Sequence, residues 1–366
     1  MGALVWGLLA VCCLSGFLLF RRRTLPAGLE GTEPARRLSI VIPARNEEAN
    51  LPSLLESLRS QTFRPWEIVV VNDGSEDRTK EIALSFGCTV LDSPELPEGW
   101  TGKNWAVWNG YQRTSGDLIA FLDSDIRLAP TALASLVRAR ERAGGAISVV
   151  PFHAAGKFYE KLALLLNLLG VFAFTSFFER SNPRQGLYGS CIVVSREDYD
   201  RMGGHAGVRS EVLDDLSLGA RFGEAGIPVA NFIGAGLVSF RMYPQGIVSE
   251  IQGFAKSAVL STGSLRPGTI ALVAAWVVGL IASESFFIFL GSSWAIPLAA
   301  GYLLFTLQIV YFTRYVGRFG AAAIVLHPLS TLFFLIVMAY SAYQVVFRKQ
   351  VIWKGRQVKV GGKLSV

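Results

Sequence analysis

Long apolar runs near both ends constrain what this chain can fold into before anything else does. Leu4 to Phe20 carries no charge and is followed at once by Arg21, Arg22 and Arg23. Thr269 to Leu290, Trp294 to Phe312 and Ala321 to Phe347 repeat the signal towards the other end. About 20 apolar residues of helix cross the hydrocarbon of a bilayer, so these segments read as membrane helices. The first run, about 17 residues, is at the short end of that range. Its positive charge follows the apolar stretch, the reverse of a cleaved signal peptide. Residues 1–23 therefore predict an N-terminal anchor, with the arginines on the cytoplasmic side of a multi-pass plasma-membrane protein.

Gly291-Ser-Ser293 can join only two antiparallel helices, and Arg314 and Arg318 beyond them suit a cytoplasmic loop. A C-terminal transmembrane region over 268–347 and a basic tail over 348–366 complete that part. Four single crossings from an outside N-terminus would leave the tail outside, against the charge rule. A last run that re-enters, turning at His327-Pro328, would keep it inside. Glu284 lies within the first C-terminal run and is expected to reach the interface from near its helix end.

Net charge is +7, from 35 Lys+Arg against 28 Asp+Glu, in a chain 51% apolar and only 17% charged. The soluble part has no basic stripe interleaved with aromatics, so the excess reads as topology and anionic-lipid contact, not nucleic-acid binding. Four cysteines without a Cys-x-x-Cys pair argue against a disulfide scaffold. His153, His205 and His327 share no helical spacing, which argues against a histidine metal cluster.

Residues 38–240 alternate between short apolar runs and helical repeats. Leu38–Pro43, Glu67–Val71, Thr89–Leu91 and Asp117–Leu122 read as strands. Asn46 is expected to cap a helix whose Leu51, Leu54, Leu55 and Leu58 form one apolar stripe. Alternation of this kind predicts an α/β fold, a mostly parallel sheet with helices on both faces. Ligands then bind at the carboxyl ends of the strands, where the polar clusters of this sequence stand. No Gly-x-Gly-x-x-Gly follows the first strand and no P-loop occurs, so neither a dinucleotide dehydrogenase nor a P-loop ATPase is supported.

Asp123 and Asp125, two apart on extended chain, would point the same way and suit Mg²⁺ or Mn²⁺ holding a diphosphate; the same Asp-Ser-Asp also fits a solvated turn. Asp73, after the second strand, fits a nucleobase contact or a turn beside a Ser75 cap. Lys103, on a glycine-flanked loop, fits a phosphate contact or an ordinary exposed lysine. Asp214 and Asp215 open a predicted helix, as a proton acceptor or as a plain cap with an acidic neighbour. Leu162 to Phe178 is apolar enough to cross, but a crossing would part Asp125 from Asp215, so it must lie in the interface, re-enter or pack in a core. Residues 246–260 put Ile247, Ile251, Phe254 and Ala258 on one face and Glu250, Gln252 and Lys256 elsewhere, as an ordinary core-facing helix or, beside membrane spans, an interfacial amphipathic helix does.

Five of these segments together carry a resemblance. Ile42-Pro-Ala-Arg-Asn-Glu-Glu48, Val71-Asn-Asp-Gly-Ser-Glu-Asp-Arg-Thr79, Gly102-Lys-Asn-Trp-Ala106, Asp123-Ser-Asp125 and Leu213-Asp-Asp-Leu216 stand in the order and spacing of family 2 glycosyltransferases. Gly99-Trp-Thr-Gly-Lys-Asn-Trp-Ala106 and Trp353-Lys-Gly-Arg356 are similar to a membrane-bound group within it, whose acceptors include carotenoid acids. The resemblance implies a GT-A fold, a nucleotide-sugar donor such as UDP-glucose, a divalent metal, inversion at the anomeric carbon and a lipid acceptor. It assigns Asp73 to the nucleobase, Pro43 and Arg45 to the nucleoside walls, Asp123 to the sugar–nucleotide and the metal, and Asp125 to the metal. Lys103 and Arg241 would meet the diphosphate, and Asp215 would be the base, with Asp214 where the family usually has Glu. The Gln-x-x-Arg-Trp element of polymerising synthases is missing. Two other readings are a polyprenyl-phosphate sugar transferase, which Lys256 and Arg266 would suit, and a non-catalytic nucleotide-binding membrane anchor.

Overall fold

The computed structural model describes residues 2–26, 36–180, 182–348, 350–353 and 356–359. They fall into two compact units, Arg23–Phe152 with Pro183–Arg241, and Met1–Arg22 with His153–Asn182 and Met242–Val366.

The first unit is built on strands β1 (Leu38–Ala44), β2 (Glu67–Asn72), β3 (Thr89–Asp92), β4 (Leu118–Leu122), β5 (Ile126–Leu128), β6 (Ala146–Val150), the first residue of β7 (Phe152–His153), β8 (Cys191–Ser195), β9 (Val229–Ile233) and β10 (Val238–Phe240). Seven of them form one sheet in the order β3-β2-β1-β4-β8-β6-β9. All its neighbours pair parallel except β8, which is antiparallel to both β4 and β6. β5 and β10 pair antiparallel outside it.

The sheet is covered on both faces. Val41, Val71, Ile119, Phe121 and Val194 share a core with Val107 and Tyr111 of the helix Gly102–Gln112 and with Leu218 and Phe222 of the helix Asp214–Glu224. The alternate residues Ile40, Ile42, Val70 and Ala120 point the other way and are equally buried. Sheets of this kind need near-continuous apolar runs, which β1, β2 and β4 supply.

Two local expectations change. Asn46 does not cap a helix: it stands at φ +53° in a loop, and the helix Leu51–Arg59 begins after Asn50. The residues ahead of it are tied across to the next loop instead. Asn46 Oδ1 accepts from Glu76 N at 2.9 Å, Glu47 N donates to Thr79 Oγ1 at 2.8 Å, and Glu48 N donates to Asp77 Oδ2 at 3.0 Å. The Leu51, Leu54, Leu55 and Leu58 stripe is buried as expected. Asp123 to Asp125 is likewise a turn between β4 and β5, not extended chain, with Ile126 N donating to Asp123 O at 3.2 Å.

In the second unit three helices are long and apolar enough to cross a membrane, Pro267–Phe287, Ala295–Val316 and His327–Arg348, and Leu4–Leu19 is a shorter apolar helix. The N-terminal helix Gly2–Leu19 packs closely on Pro267–Glu284 through glycine: a Cβ on Gly279 would lie 2.2 Å from Cys12 Cβ, and one on Gly16 2.5 Å from the Trp276 ring. The 162–178 segment packs in this unit's interior. Its helix Leu164–Thr175 has 12 residues, about 18 Å, too short to span, and Phe172 sits edge-on to Trp276 and Phe312.

Glu284 does not reach outward. It is buried, with Oε1 2.5 Å from His327 Nδ1 and accepting from Thr331 Oγ1 at 2.7 Å. Burial without a polar partner is costly in an apolar region, and His327 removes that cost. The helix Ile247–Ala258 also departs from its expected faces. Ile251, Phe254 and Ala258 pack with Phe333, Val337 and Tyr340, but Glu250 is 0% exposed while Val248 is 64% exposed. Of Trp353-Lys-Gly-Arg356, Lys354 and Gly355 lie outside the described residues, as do 349 and 360–366 of the basic tail.

Candidate active site

The carboxyl ends of β1, β2 and β4 bring the expected residues together. β1 and β2 run in register with Pro43 beside Val71 and Ala44 beside Asn72. Asp73 N then donates to Ala44 O at 2.9 Å, which holds the two strand ends as one surface. Across it Arg45 Nη1 lies 3.8 Å from Asp73 Oδ2 and 3.5 Å from Asp73 O. Pro43, Arg45 and Asp73 therefore stand as a group. Gly74 adopts φ +64°, in the left-handed region that turns the chain away from the strand end.

Lys103 is set by the start of its helix. Thr101 caps Gly102–Gln112 by accepting from Asn104 N, and buried Asn104 donates through Nδ2 to Val208 O at 2.9 Å. Thr101 N donates to Arg209 O at 2.8 Å. This clamp joins the lysine's turn to the loop that leads into Asp214 and Asp215. Lys103 Nζ lies 2.8 Å from Asp123 Oδ1. Burial alone would lower the Lys103 pKa, but Asp123, Asp214 and Asp215 outweigh it and hold the ammonium above its ordinary value.

Asp214 and Asp215 occupy the first turn of the helix Asp214–Glu224. Asp215 Oδ2 accepts from Gly189 N at 3.0 Å and Oδ1 from Leu216 N at 3.0 Å. Glycine at 189 lets this carboxylate approach, because a Cβ there would sit 2.9 Å from Asp215 Oδ2 and push it away. Asp214 turns inward instead, buried, with Oδ2 3.9 Å from His205 Nε2. Burial, against the pull of Asp214, lowers His205 to about 4, so the ring is neutral near pH 7. Its Nδ1 is 2.6 Å from Tyr199 Oη.

Two residues join the site that sequence reasoning missed. Arg127, on β5, has its pKa lowered first by burial, while Asp125 and Glu47 raise it and Arg241 lowers it, so all three lie within its field. Arg241 follows β10, the partner of β5, and reaches the site by that pairing. Tyr188 is the other. Burial raises its phenol pKa, and so do Asp125, Asp215 and Asp123. Its sequence signal is the loop Gly186-Leu-Tyr-Gly189 just ahead of the strand run Cys191–Ser195. Among the described residues no three His, Cys, Asp or Glu side chains group to hold a metal. The cation fit rests on Asp123 and Asp125, hard oxygen donors with Asp215 close by and Lys103 as their near counter-charge.

The Glycosyl transferase family 2 model matches residues 39–203. A 4,4'-diaponeurosporenoate glycosyltransferase from Staphylococcus haemolyticus (strain JCSC1435) is 35% identical over 360 residues, covering 95% of this chain and 96% of that protein. The chain belongs to glycosyl transferase family 2. A second member of that name, from Staphylococcus aureus (strain USA300), is 32% identical and covers 94% of each chain. This family 2 glycosyltransferase shares its GT-A fold with a mannosyltransferase from Pyrobaculum calidifontis, solved with GDP-Man and Mn²⁺. The TM-score is 0.54 at 15% identity, with 95% of this chain and 97% of that chain covered.

Proposed function

We propose that this glycosyltransferase moves a sugar from a nucleoside-diphosphate donor, UDP-glucose or similar, to the carboxylate of an apolar isoprenoid acid at the cytoplasmic membrane face, with inversion. The observation that carries the reading is Lys103 on Asp123 with Asp214 and Asp215 in its field. That is one cation among carboxylates at the strand ends, in a chain aligned almost end to end with 4,4'-diaponeurosporenoate glycosyltransferases.

Asp73 takes the base edge and Pro43 and Arg45 flank the nucleoside. Asp123 and Asp125 would hold Mg²⁺ or Mn²⁺, which when bound offsets the charge developing on the diphosphate. Lys103 and Arg241 meet the same charge as donors. The acceptor oxygen bonds to the anomeric carbon as the bond from that carbon to the phosphate oxygen breaks, its electron pair leaving with the nucleoside diphosphate. A hydroxyl acceptor gives its proton to Asp215. A carboxylate acceptor, ionised near neutral pH, has none to give.

The membrane unit supports a re-entrant last run. At residues 317–318, Arg318 N donates to His153 O at 2.8 Å; at the far end of the last helix, Ser341 Oγ donates to Ala255 O at 2.6 Å. His153 precedes the 159–163 turn in the chain, Ala255 packs with Ala163 of that turn, and the apex at His327 is held by Glu284. In this reading the basic tail and Arg314 share the cytoplasmic side.

The test is purified full chain in detergent, offered UDP- and GDP-sugars, a carotenoid monocarboxylic acid and Mg²⁺ or Mn²⁺, with products read by mass spectrometry. A metal-dependent sugar ester supports the reading. Transfer to polyprenyl phosphate alone replaces the acceptor, and no turnover of any donor leaves a nucleotide-binding anchor.

A further inference from the structure

One loop connects the two ends of the proposed reaction centre. Residues 185–190 run between β6 and β8, and each end is tied to a different aspartate. Ser190 O accepts from Asp123 N at 3.0 Å, at the metal side. Gly189 N donates to Asp215 Oδ2 at 3.0 Å, and Leu187 N donates to Asp215 O at 3.1 Å, at the base side. Residue 188 therefore stands between the group that would hold the donor's metal and the group that faces the acceptor.

The loop is held from below by a buried polar chain. Tyr188 N donates to Ser148 Oγ at 2.8 Å, Ser148 Oγ donates to Asn231 Oδ1 at 2.6 Å, and Asn231 Nδ2 donates to Gly186 O at 2.9 Å. Ser148 and Asn231 are 0% and 1% exposed, on β6 and β9, the rigid part of the sheet. The Tyr188 ring also meets Phe240 edge-on at 6.4 Å between centroids. A half-buried phenol supported in this way has little freedom, and its hydroxyl lies in the field of Asp123, Asp125, Asp215 and Lys103.

An acidic acceptor faces a difficulty here, and this step rests on the acceptor class proposed above. Its carboxylate must approach a centre already lined by Asp123, Asp125 and Asp215, and like charges at close range repel. One carboxylate oxygen attacks the sugar; the other needs a donor that does not itself carry negative charge. A phenol O–H is such a donor, and a hydrogen bond from it to an ionised oxygen is of the stronger, charge-assisted kind. We infer that Tyr188 is an acceptor-binding residue whose hydroxyl donates to the non-attacking oxygen of the acceptor carboxylate, orienting the other towards the anomeric carbon.

Tyr188→Phe removes the hydroxyl and keeps the ring against Phe240, so the test compares it with wild type as full-length protein in detergent. The acceptor series is a carotenoid monocarboxylic acid and the corresponding primary alcohol, with whichever nucleotide-sugar the wild type turns over. The acid's KM should rise about tenfold or more, the size expected for one lost hydrogen bond to a charged group. The alcohol's KM should move less, and donor Kd, by titration calorimetry, should stay within about twofold, which also reports an intact fold. An unchanged KM for the acid overturns the inference, and so does an equal rise in donor Kd, which would assign the phenol to the donor. Wild-type transfer to the alcohol and never to the acid overturns the acceptor class itself and this inference with it.

Discussion

Lys103 Nζ and Asp123 Oδ1 stand 2.8 Å apart although 20 residues separate them in the chain. The contact joins a helix start, capped by Thr101, to the end of the central strand β4. Both side chains remain about 30% exposed, so the pair adds little to stability by itself. Its worth is electrostatic, as a cation placed where a diphosphate would gather charge.

Lys103→Met should therefore cost activity rather than fold. Transfer is expected to fall about 100-fold or more in kcat/KM, the usual size for one lost electrostatic contact to developing charge. The melting temperature in detergent should move by no more than about 2 °C. Steady-state kinetics and a thermal melt on one preparation check both halves.

Asp215→Asn separates the two acceptor chemistries. An ionised carboxylate brings no proton for a base to remove, whereas a hydroxyl does. Glycosylation of a carotenoid acid should survive largely intact, and that of the matching alcohol should drop about 100-fold or more. Equal and total loss with both acceptors would mean that Asp215 acts through charge or position instead.

Gly189→Ala tests the support of Asp215. The new methyl would fall 2.9 Å from Asp215 Oδ2 and 3.1 Å from its Cβ, so the carboxylate must shift away from the Gly189 N–H. With a hydroxyl acceptor, whose proton Asp215 would take, transfer should fall at least about tenfold, as misplacement of a reacting group does. Retained nucleotide affinity by calorimetry, with the lost turnover, would place the damage at the acceptor side.

Glu250 gives the pH dependence of the membrane unit. Burial, and then the neighbouring Glu160, push its carboxyl up to about 8. Its charged neighbour offers no relief, since Glu160 is itself a buried carboxyl group. Among the described residues neither Glu250 oxygen accepts a hydrogen bond. With the folded pKa above the unfolded one, folding favours the protonated form. That stability is complete below the ordinary value of 4.5 and is lost as pH rises through about 8. Melting temperature in detergent should fall from pH 5 to 9 in the wild type. In Glu250→Gln, neutral throughout, the fall should be shallower, and an identical slope would place the titration elsewhere.

The sequence by itself determined the elements and their chemical order. Short apolar runs at 38–43, 67–71 and 117–122 had to be buried strands, and long apolar runs without charge had to find lipid or each other, because neither outcome needs a distant partner. Five motifs in order were enough for the family, and Pro43, Arg45 and Asp73 met as expected since adjacent parallel strands bring their ends together. Tertiary structure alone decided the rest. Asn46 fits a helix cap by local rules but is taken by Ser75 and Glu76, 29 and 30 positions away. Glu284 near a helix end fits snorkelling, yet His327 on another helix offers a partner that draws it inward. The local signal at Tyr188 is only a glycine-flanked loop ahead of a strand run, which names no function. Its place comes from its loop neighbours, Leu187 N and Gly189 N donating to Asp215 and Ser190 O accepting from Asp123 N, and contacts between segments so far apart are set by packing, not by neighbours in sequence.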